Sequence, residues 1–365
     1  MKLKKVVALT MAGTMAMASL TACGGGSDTT ADTTAAAAEA GDAAAEAGDS
    51  NGGASGTAEV TLQVGFENSI SEPFGQGVEK WAELLKEKSG GTMEIAVYPD
   101  SQLGAKNSLI DSMLLGEPVC TLADGAFYAD YGVNDMGILF GPFLFEDWDD
   151  CWTLIESDWY KGQEALLEEK GLKLLGSNWI YGDRHTLTVN PVNTVEDLAG
   201  MKIRVPGNQI QSYGFDVLGA TSTGMDLGDV YSALQSKTID GAENPLATLY
   251  GRKLHEVAKY LILDGHVKNF TTLVCSADWF NSLTEEQQGW LLESCKEAGE
   301  YNNEVQQAQE QEYLQMMIDE GVTVVEPSEE VLDGFREKAQ AFYEMGDTFG
   351  WSDGLYEEVQ AAMGK

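Results

Sequence analysis

Arginine is nearly missing from this chain. Arg184, Arg204, Arg252 and Arg336 are all it has in 365 residues, and lysine and arginine together number 22 against 59 acidic residues, a formal net charge of −37. A deficit of that size excludes nucleic acid as a partner, because phosphate backbones need stripes of basic side chains, and it disfavours docking on an anionic lipid surface. Histidine is scarcer still (His185, His255, His266), and no H-x-x-x-H, C-x-x-C, G-x-S-x-G or phosphate-loop spacing occurs. No metal, no cofactor and no catalytic residue is therefore expected. Beyond Cys23 the cysteines are Cys120, Cys151, Cys275 and Cys295, without metal-ligand spacing. They read as small buried residues, although export would permit disulfides. Internal repeats, heptads and long apolar runs are absent after the first 22 residues.

Those 22 residues set the address. Lys2, Lys4 and Lys5 precede "VVALTMAGTMAMASL", the charged and apolar regions of a secretory signal peptide, too short and too interrupted for a membrane-spanning helix. "LTACGGG" at its end resembles a bacterial lipoprotein lipobox, which implies cleavage before Cys23 and acylation of its sulfur. Ordinary signal cleavage near an incidental cysteine is the alternative. Cleavage there removes three lysines and no acid, taking the formal charge from −37 to −40. Residues 24–57 hold Gly, Ala, Ser, Thr, Asp, Glu and one Asn with no aromatic, Leu, Ile or Val, a composition that cannot offset its chain entropy. Residues 23–58 are thus expected to be a lipidated, disordered tether holding a folded domain outside the cytoplasmic membrane.

Folded sequence begins near Glu59. "VTLQVGF", "MEIAVYP" and "VCTLAD" read as buried strands, with helical spacing between them over 74–88 and in "LGAKNSLIDSMLLG". A second group follows: strands "HTLTVN", "KIRVP" and "TIDGAEN", helices "NQIQSYGFDVLG" and "GDVYSALQS", then the apolar runs "YLILDGHV" and "NFTTLVCSADWF". Strands alternating with helices predict α/β structure with a mostly parallel sheet, in two lobes. Ser282 and Glu285 have capping-box spacing, and helix formers then run to Glu320, long enough for a spine across both lobes. Another helix is expected over about 332–345.

Two of the four arginines stand at strand–turn boundaries twenty residues apart, Arg184 in "GDRHTLTVN" and Arg204 in "KIRVPG". A guanidinium presents paired donors that suit a carboxylate, and an acidic protein needs a local positive site to attract an anion. Salt bridges to some of the many acids are the competing explanation.

From Gly182 to Leu249 the chain resembles the DctP-type substrate-binding proteins of TRAP (tripartite ATP-independent periplasmic) transporters. The matching blocks are "MEIAVYPDSQLGAKNSLIDSMLLG", "GDRHTLTVNPVNTVEDLAGMKIRVPGN" and "LGATSTGMDLGDVYSALQSKTIDGAENPL", with weaker agreement over about 60–350. The resemblance implies a two-lobed, periplasmic-binding-protein-like fold with a hinge and a long helix spanning both lobes. Lobe I is expected over 59–181 plus about 270–309, lobe II over 182–269 plus about 310–349, and a C-terminal helix over 350–365. It implies that Arg204 pairs bidentately with a ligand carboxylate and that Arg184 and Asn244 contact it too. The competing reading of Asn244 is a cap on the "PLATLY" helix, with Pro245 at its first position. Ala242 departs from the usual "QENP". Glu67, Asn68, Asp124 and Phe127 lie in loops matching those that touch the variable end of the ligand. Trp179 and Tyr181 are candidates for an aromatic floor or for core, and Asn208, after the Arg204 strand, completes the candidate set. The expected function is capture of a small organic acid, of uronate or dicarboxylate class, by a monomer that delivers it to the membrane subunits of a TRAP permease. A membrane-tethered enzyme or sensor acting on a sugar acid is the rival.

Overall fold

A computed structural model describes residues 58–365, so the expected signal peptide, Cys23 and almost all of the tether lie outside the described residues. The strands are β1 (Val60–Gly65), β2 (Met93–Tyr98), β3 (Val119–Ala123), β4 (Leu172–Thr188), β5 (Lys202–Val205), β6 (Thr221–Gly224), β7 (Gly241–Asn244), β8 (Tyr260–Ser276) and β9 (Thr323–Val325). They form one sheet in the order β2-β1-β3-β8-β4-β7-β5-β6, with β9 beside β8. The outer pairs β1–β2, β1–β3, β5–β6 and β5–β7 are parallel, while β3–β8, β4–β8 and β4–β7 are antiparallel. The sheet is therefore mixed at its centre. A parallel group at each end is joined by two long central strands.

The sequence pattern hid those long strands. β4 and β8 have 17 residues each and pair along their lengths, where the sequence suggests a short strand from His185 and two separate apolar runs. The reason is four register shifts, which break the alternation of inward and outward residues. Between Ile180 and Gly182 the extra residue is on β4. Between Arg184 and Thr186 the excess is on β8, whose residues 263–266 loop out and carry Asp264 and His266 inward.

The long helix, Glu285–Asp319, lies over these irregularities, about 52 Å long at 1.5 Å per residue. Leu291, Cys295 and Ala298 pack in the core beneath β1 and β3, whereas Tyr313 and Met317 pack with Leu187, Ala242 and Leu261 at the other end. One helix thus serves two cores, which is why its apolar stripe changes face. In its middle, Asn303 accepts from Ile180 N (2.7 Å) and donates to the Asn178 carbonyl (2.8 Å), and Asn302 donates to the Ile180 carbonyl (2.9 Å). These amides satisfy backbone groups of β4 on the side away from β8, where β7 pairs only with His185–Thr188 and no strand flanks them. The cap differs from the sequence expectation. Thr284 and Gln287, not Ser282 and Glu285, make the reciprocal capping box. The helix expected near 332–345 spans Glu329–Tyr343, and the C-terminal one Leu355–Ala362.

All four cysteines in the described residues are buried and free. Among those residues no helix is long and apolar enough to cross a membrane, and no His, Cys, Asp and Glu cluster has the geometry to hold a metal ion.

Candidate functional site

Where the central strands meet the two parallel groups, side chains from both halves line a narrow cavity of about 20 Å³. One half contributes Glu67 after β1, Lys106, and Asp124 and Phe127 after β3; the other contributes Arg204, Gln211 and Asn244; Tyr181, Arg184 and Asn269 come from β4 and β8. Tyr181 and Arg184 reach the same space, although three residues apart on one strand, because the bulge after Ile180 resets the alternation.

The two arginines are in different electrical situations. Arg184 is 3% exposed and fully engaged. Its Nε donates to Glu243 Oε2 (2.5 Å) and its Nη2 to Glu243 Oε1 (2.7 Å) and Asn244 Oδ1 (3.1 Å), while Nη1 donates to Asn269 Oδ1 (3.0 Å). The rings of Phe140 and Tyr181 lie 5.1 and 5.9 Å from its Cζ. His266 extends the network, with Nε2 3.3 Å from Glu243 Oε2 and Nδ1 3.1 Å from Asp264 Oδ2. Burial alone would raise the Glu243 carboxyl, but Arg184 and His266 outweigh it and hold it down at about 2. Burial would likewise lower His266, yet Asp264 and Glu243 push it up to about 9. His185 takes the other course. Burial lowers its pKa, and its Nδ1 accepts from Gly265 N (3.0 Å).

Arg204, 2% exposed at the end of β5, has no such partner. Its Nε and Nη2 donate to the Met225 carbonyl (2.9 and 2.7 Å), just past β6, and among the described residues no carboxylate oxygen lies within 4.0 Å. Burial lowers its pKa, opposed by the charges of Glu243 and Glu67. Asn244 stands beside it in the cavity lining. Because Arg184 donates to Asn244 Oδ1, the amide is oriented with Nδ2 away from Arg184, and that buried Nδ2 has no hydrogen-bond partner. A cation without a counter-ion and an orphan donor together are what a carboxylate satisfies.

The remaining candidates divide. Glu67, Asp124, Phe127 and Tyr181 line the cavity. Asn68, Trp179 and Asn208 do not. Asn68 donates to Glu72 Oε2 (2.6 Å) and to the Tyr181 hydroxyl (2.9 Å), fixing that ring from behind. Trp179 is fully buried core, its Nε1 donating to the Cys295 carbonyl (3.2 Å). Asn208 caps helix Gln209–Leu218, accepting from Gln211 N (2.8 Å) and donating to Gln211 Oε1 (2.5 Å), so Gln211 rather than Asn208 faces the cavity. Nor does Asn244 cap the next helix. It ends β7, and Pro245 is the residue preceding helix Leu246–Gly251. Ala242 is buried in the β7 core and contributes nothing polar. Sequence reasoning missed Glu243, Asn269, Gln211 and Lys106. Glu243 alone had a signal, as the acid preceding Asn244.

Residues 64–347 match the model of the DctP family, bacterial extracellular solute-binding protein, family 7. The chain belongs to that family. The sialic acid-binding periplasmic protein SiaP of Vibrio cholerae is 30% identical over 298 residues, 80% of this chain and 89% of that protein. Among solved structures, a TRAP periplasmic solute-binding protein from Ochrobacterium anthropi with bound L-fuconate is 35% identical, with a TM-score of 0.80 over 83% of this chain and 99% of its own. One from Actinobacillus succinogenes with bound L-galactonate is 32% identical, with a TM-score of 0.78 over 83% and 99%. This DctP-family chain thus has the two-lobed fold of TRAP solute-binding proteins.

Proposed function

We propose that this extracytoplasmic solute-binding protein captures the carboxylate of a small sugar acid on Arg204 and Asn244 and hands it, lobes closed, to the membrane subunits of a TRAP permease. The observation that carries the site assignment is the unpartnered Asn244 Nδ2 beside an arginine lacking a carboxylate partner. Arg184 acts as a positioning residue, turning the carbonyl oxygens of Asn244 and Asn269 towards itself. The sugar-acid class is supported by the L-fuconate and L-galactonate bound in the similar structures, and by a 2,3-diketo-L-gulonate-binding relative 31% identical over 270 residues. Lobe I comprises 59–181 with about 270–309 and lobe II 182–269 with about 310–349, the bulged segments of β4 and β8 acting as the hinge. The protein works as a monomer, anchored by an acyl chain on Cys23.

Micromolar capture requires about −8 kcal/mol, more than one charge-assisted pair supplies, so contacts from lobe I must contribute. The test is a thermal-shift and calorimetric screen of the purified protein against galactonate, galacturonate, glucuronate, sialic acid and succinate. A ligand that binds only the folded state raises the midpoint. The expected result is a strong hit among the sugar acids, lost in Arg204→Ala. Full affinity in that variant refutes the clamp. Incorporation of a palmitate analogue in cells, lost in Cys23→Ser, tests the anchor.

A further inference from the structure

Lobe I presents the cavity with a second charged group of side chains that the carboxylate clamp does not use. Lys106 opens helix Lys106–Leu114, whose preceding residue, Ala105, offers no side-chain cap. A lysine in the first turn opposes the helix dipole, and a broken local rule is expected where function requires it. Its Nζ lies 4.4 Å from the centroid of Phe127, and no carboxylate among the described residues comes within 4.0 Å. Glu67 and Asp124 line the same cavity and are equally without a cation within that distance. They project from the carboxyl ends of the parallel strands β1 and β3, the usual ligand edge of an α/β sheet. Asp124 also caps its own helix, accepting from Ala126 N (3.0 Å), which fixes its carboxylate.

An ammonium flanked by two carboxylates, close enough to interact and too far apart to pair, leaves a gap for groups that both donate and accept. Hydroxyls do both: the O–H donates to Glu67 or Asp124 while a lone pair accepts from Lys106. A second carboxylate would satisfy Lys106 but face two like charges, and a hydrocarbon end would satisfy nothing. Burial lowers the Lys106 pKa and raises that of Asp124, so both charges gain from a polar partner. Resting on the proposed carboxylate clamp, we infer that Lys106, Glu67 and Asp124 form a hydroxyl-reading pole that selects polyhydroxylated monocarboxylates and rejects short dicarboxylates such as succinate. Lys106 and the two acids are the specificity-determining residues; Phe127 backs the ammonium.

Calorimetry with galactonate, galacturonate and succinate tests this in the wild type, Lys106→Met, Glu67→Gln and Asp124→Asn, the last keeping a capping side chain. The wild type is expected to prefer at least one of the two sugar acids over succinate by about 100-fold. Losing one charged hydrogen-bonding group should weaken sugar-acid binding by about 10- to 100-fold while leaving succinate within about threefold. Glu67→Gln combined with Asp124→Asn should narrow the preference further by admitting succinate. Equal wild-type affinities for succinate and both sugar acids, or an unchanged ratio in Lys106→Met and Glu67→Gln, overturn the pole while leaving the clamp intact. Failure of all three acids to bind the folded wild type overturns the clamp, and the pole with it.

Discussion

Arg184 and Arg204 should respond oppositely to the same substitution, and the contrast follows from their partners. Arg184→Met leaves the Glu243 carboxylate, 1% exposed, with His266 alone for compensation, and strips acceptor-bound donors from Asn244 and Asn269. Removing one partner of a buried ion pair costs about 3–5 kcal/mol. Arg204→Met removes a buried cation that, among the described residues, no carboxylate pairs with and whose one protein acceptor is the Met225 carbonyl. The loss of that carbonyl's partners, about 1–3 kcal/mol, is offset by relief of the desolvated charge, so the net change should stay within about 1 kcal/mol. With a urea m-value of about 3 kcal/mol/M for a chain of this size, Arg184→Met should lower the midpoint by about 1–1.7 M and Arg204→Met by less than about 0.3 M. Urea titrations followed by tryptophan fluorescence measure both, with and without saturating sugar acid. The ligand-dependent increase in midpoint should vanish in Arg204→Met. Equal loss of stability in the two variants, or a ligand shift surviving in Arg204→Met, refutes the division into a structural and a binding arginine.

Three further outcomes are expected. Burial raises the Glu72 pKa from 4.5 to about 7, against opposing bonds from Asn68, Ser69 and Thr248 and the charge of Arg252. An acid raised on folding binds more protons folded than unfolded, so stability should fall by about 3 kcal/mol as pH rises from 4.5 through 7; Glu72→Gln should remove that slope, and identical midpoint-versus-pH curves would contradict it. Gly182 has φ +132°, and a Cβ there would lie 2.8 Å from the Pro245 Cβ, so Gly182→Ala should destabilise by about 3 kcal/mol and weaken ligand binding through neighbouring Asn244; a native melting curve would show the hinge to be laxer than its packing. Thr284→Ala removes the cap of the long helix and should cost about 1 kcal/mol in urea unfolding, whereas Ser282→Ala should cost less.

Arg204, the cation of the proposed clamp, stands out in the sequence for a physical reason, whereas Asn244 enters only through the family resemblance. A rare, permanently charged side chain at the end of an apolar strand conflicts with its surroundings, and such conflicts mark sites. Gln211 and Asn269 carry no such signal, since amides are common and their neighbourhood is made by distant chain segments, and the unfavourable place of Lys106 shows only once the start of its helix is known. Trp179 and Asn68 adjoin the site in sequence but sit behind its wall, holding Tyr181 and the strand beneath it. The parallel strands and most helices followed from periodicity, whereas β4 and β8 did not, because bulges erase the alternation on which strand reading depends.

Those same bulges connect fold to function. A regular pair of 17-residue strands would be stiff and would alternate its side chains strictly. Each register shift instead bends the ribbon and re-aims a residue: Arg184 joins Tyr181 at the cavity, and the β8 excursion brings Asp264 and His266 against Glu243. The backbone groups of Asn178 and Ile180, which β7 does not reach, are taken up by Asn302 and Asn303 of the long helix. The helix therefore stabilises the connection between lobes at the point where the sheet is least regular. Electrostatically the division is similar: Arg184, Glu243, His266 and Asp264 neutralise one another and hold the frame, leaving Arg204 without a carboxylate partner, as the proposed clamp requires.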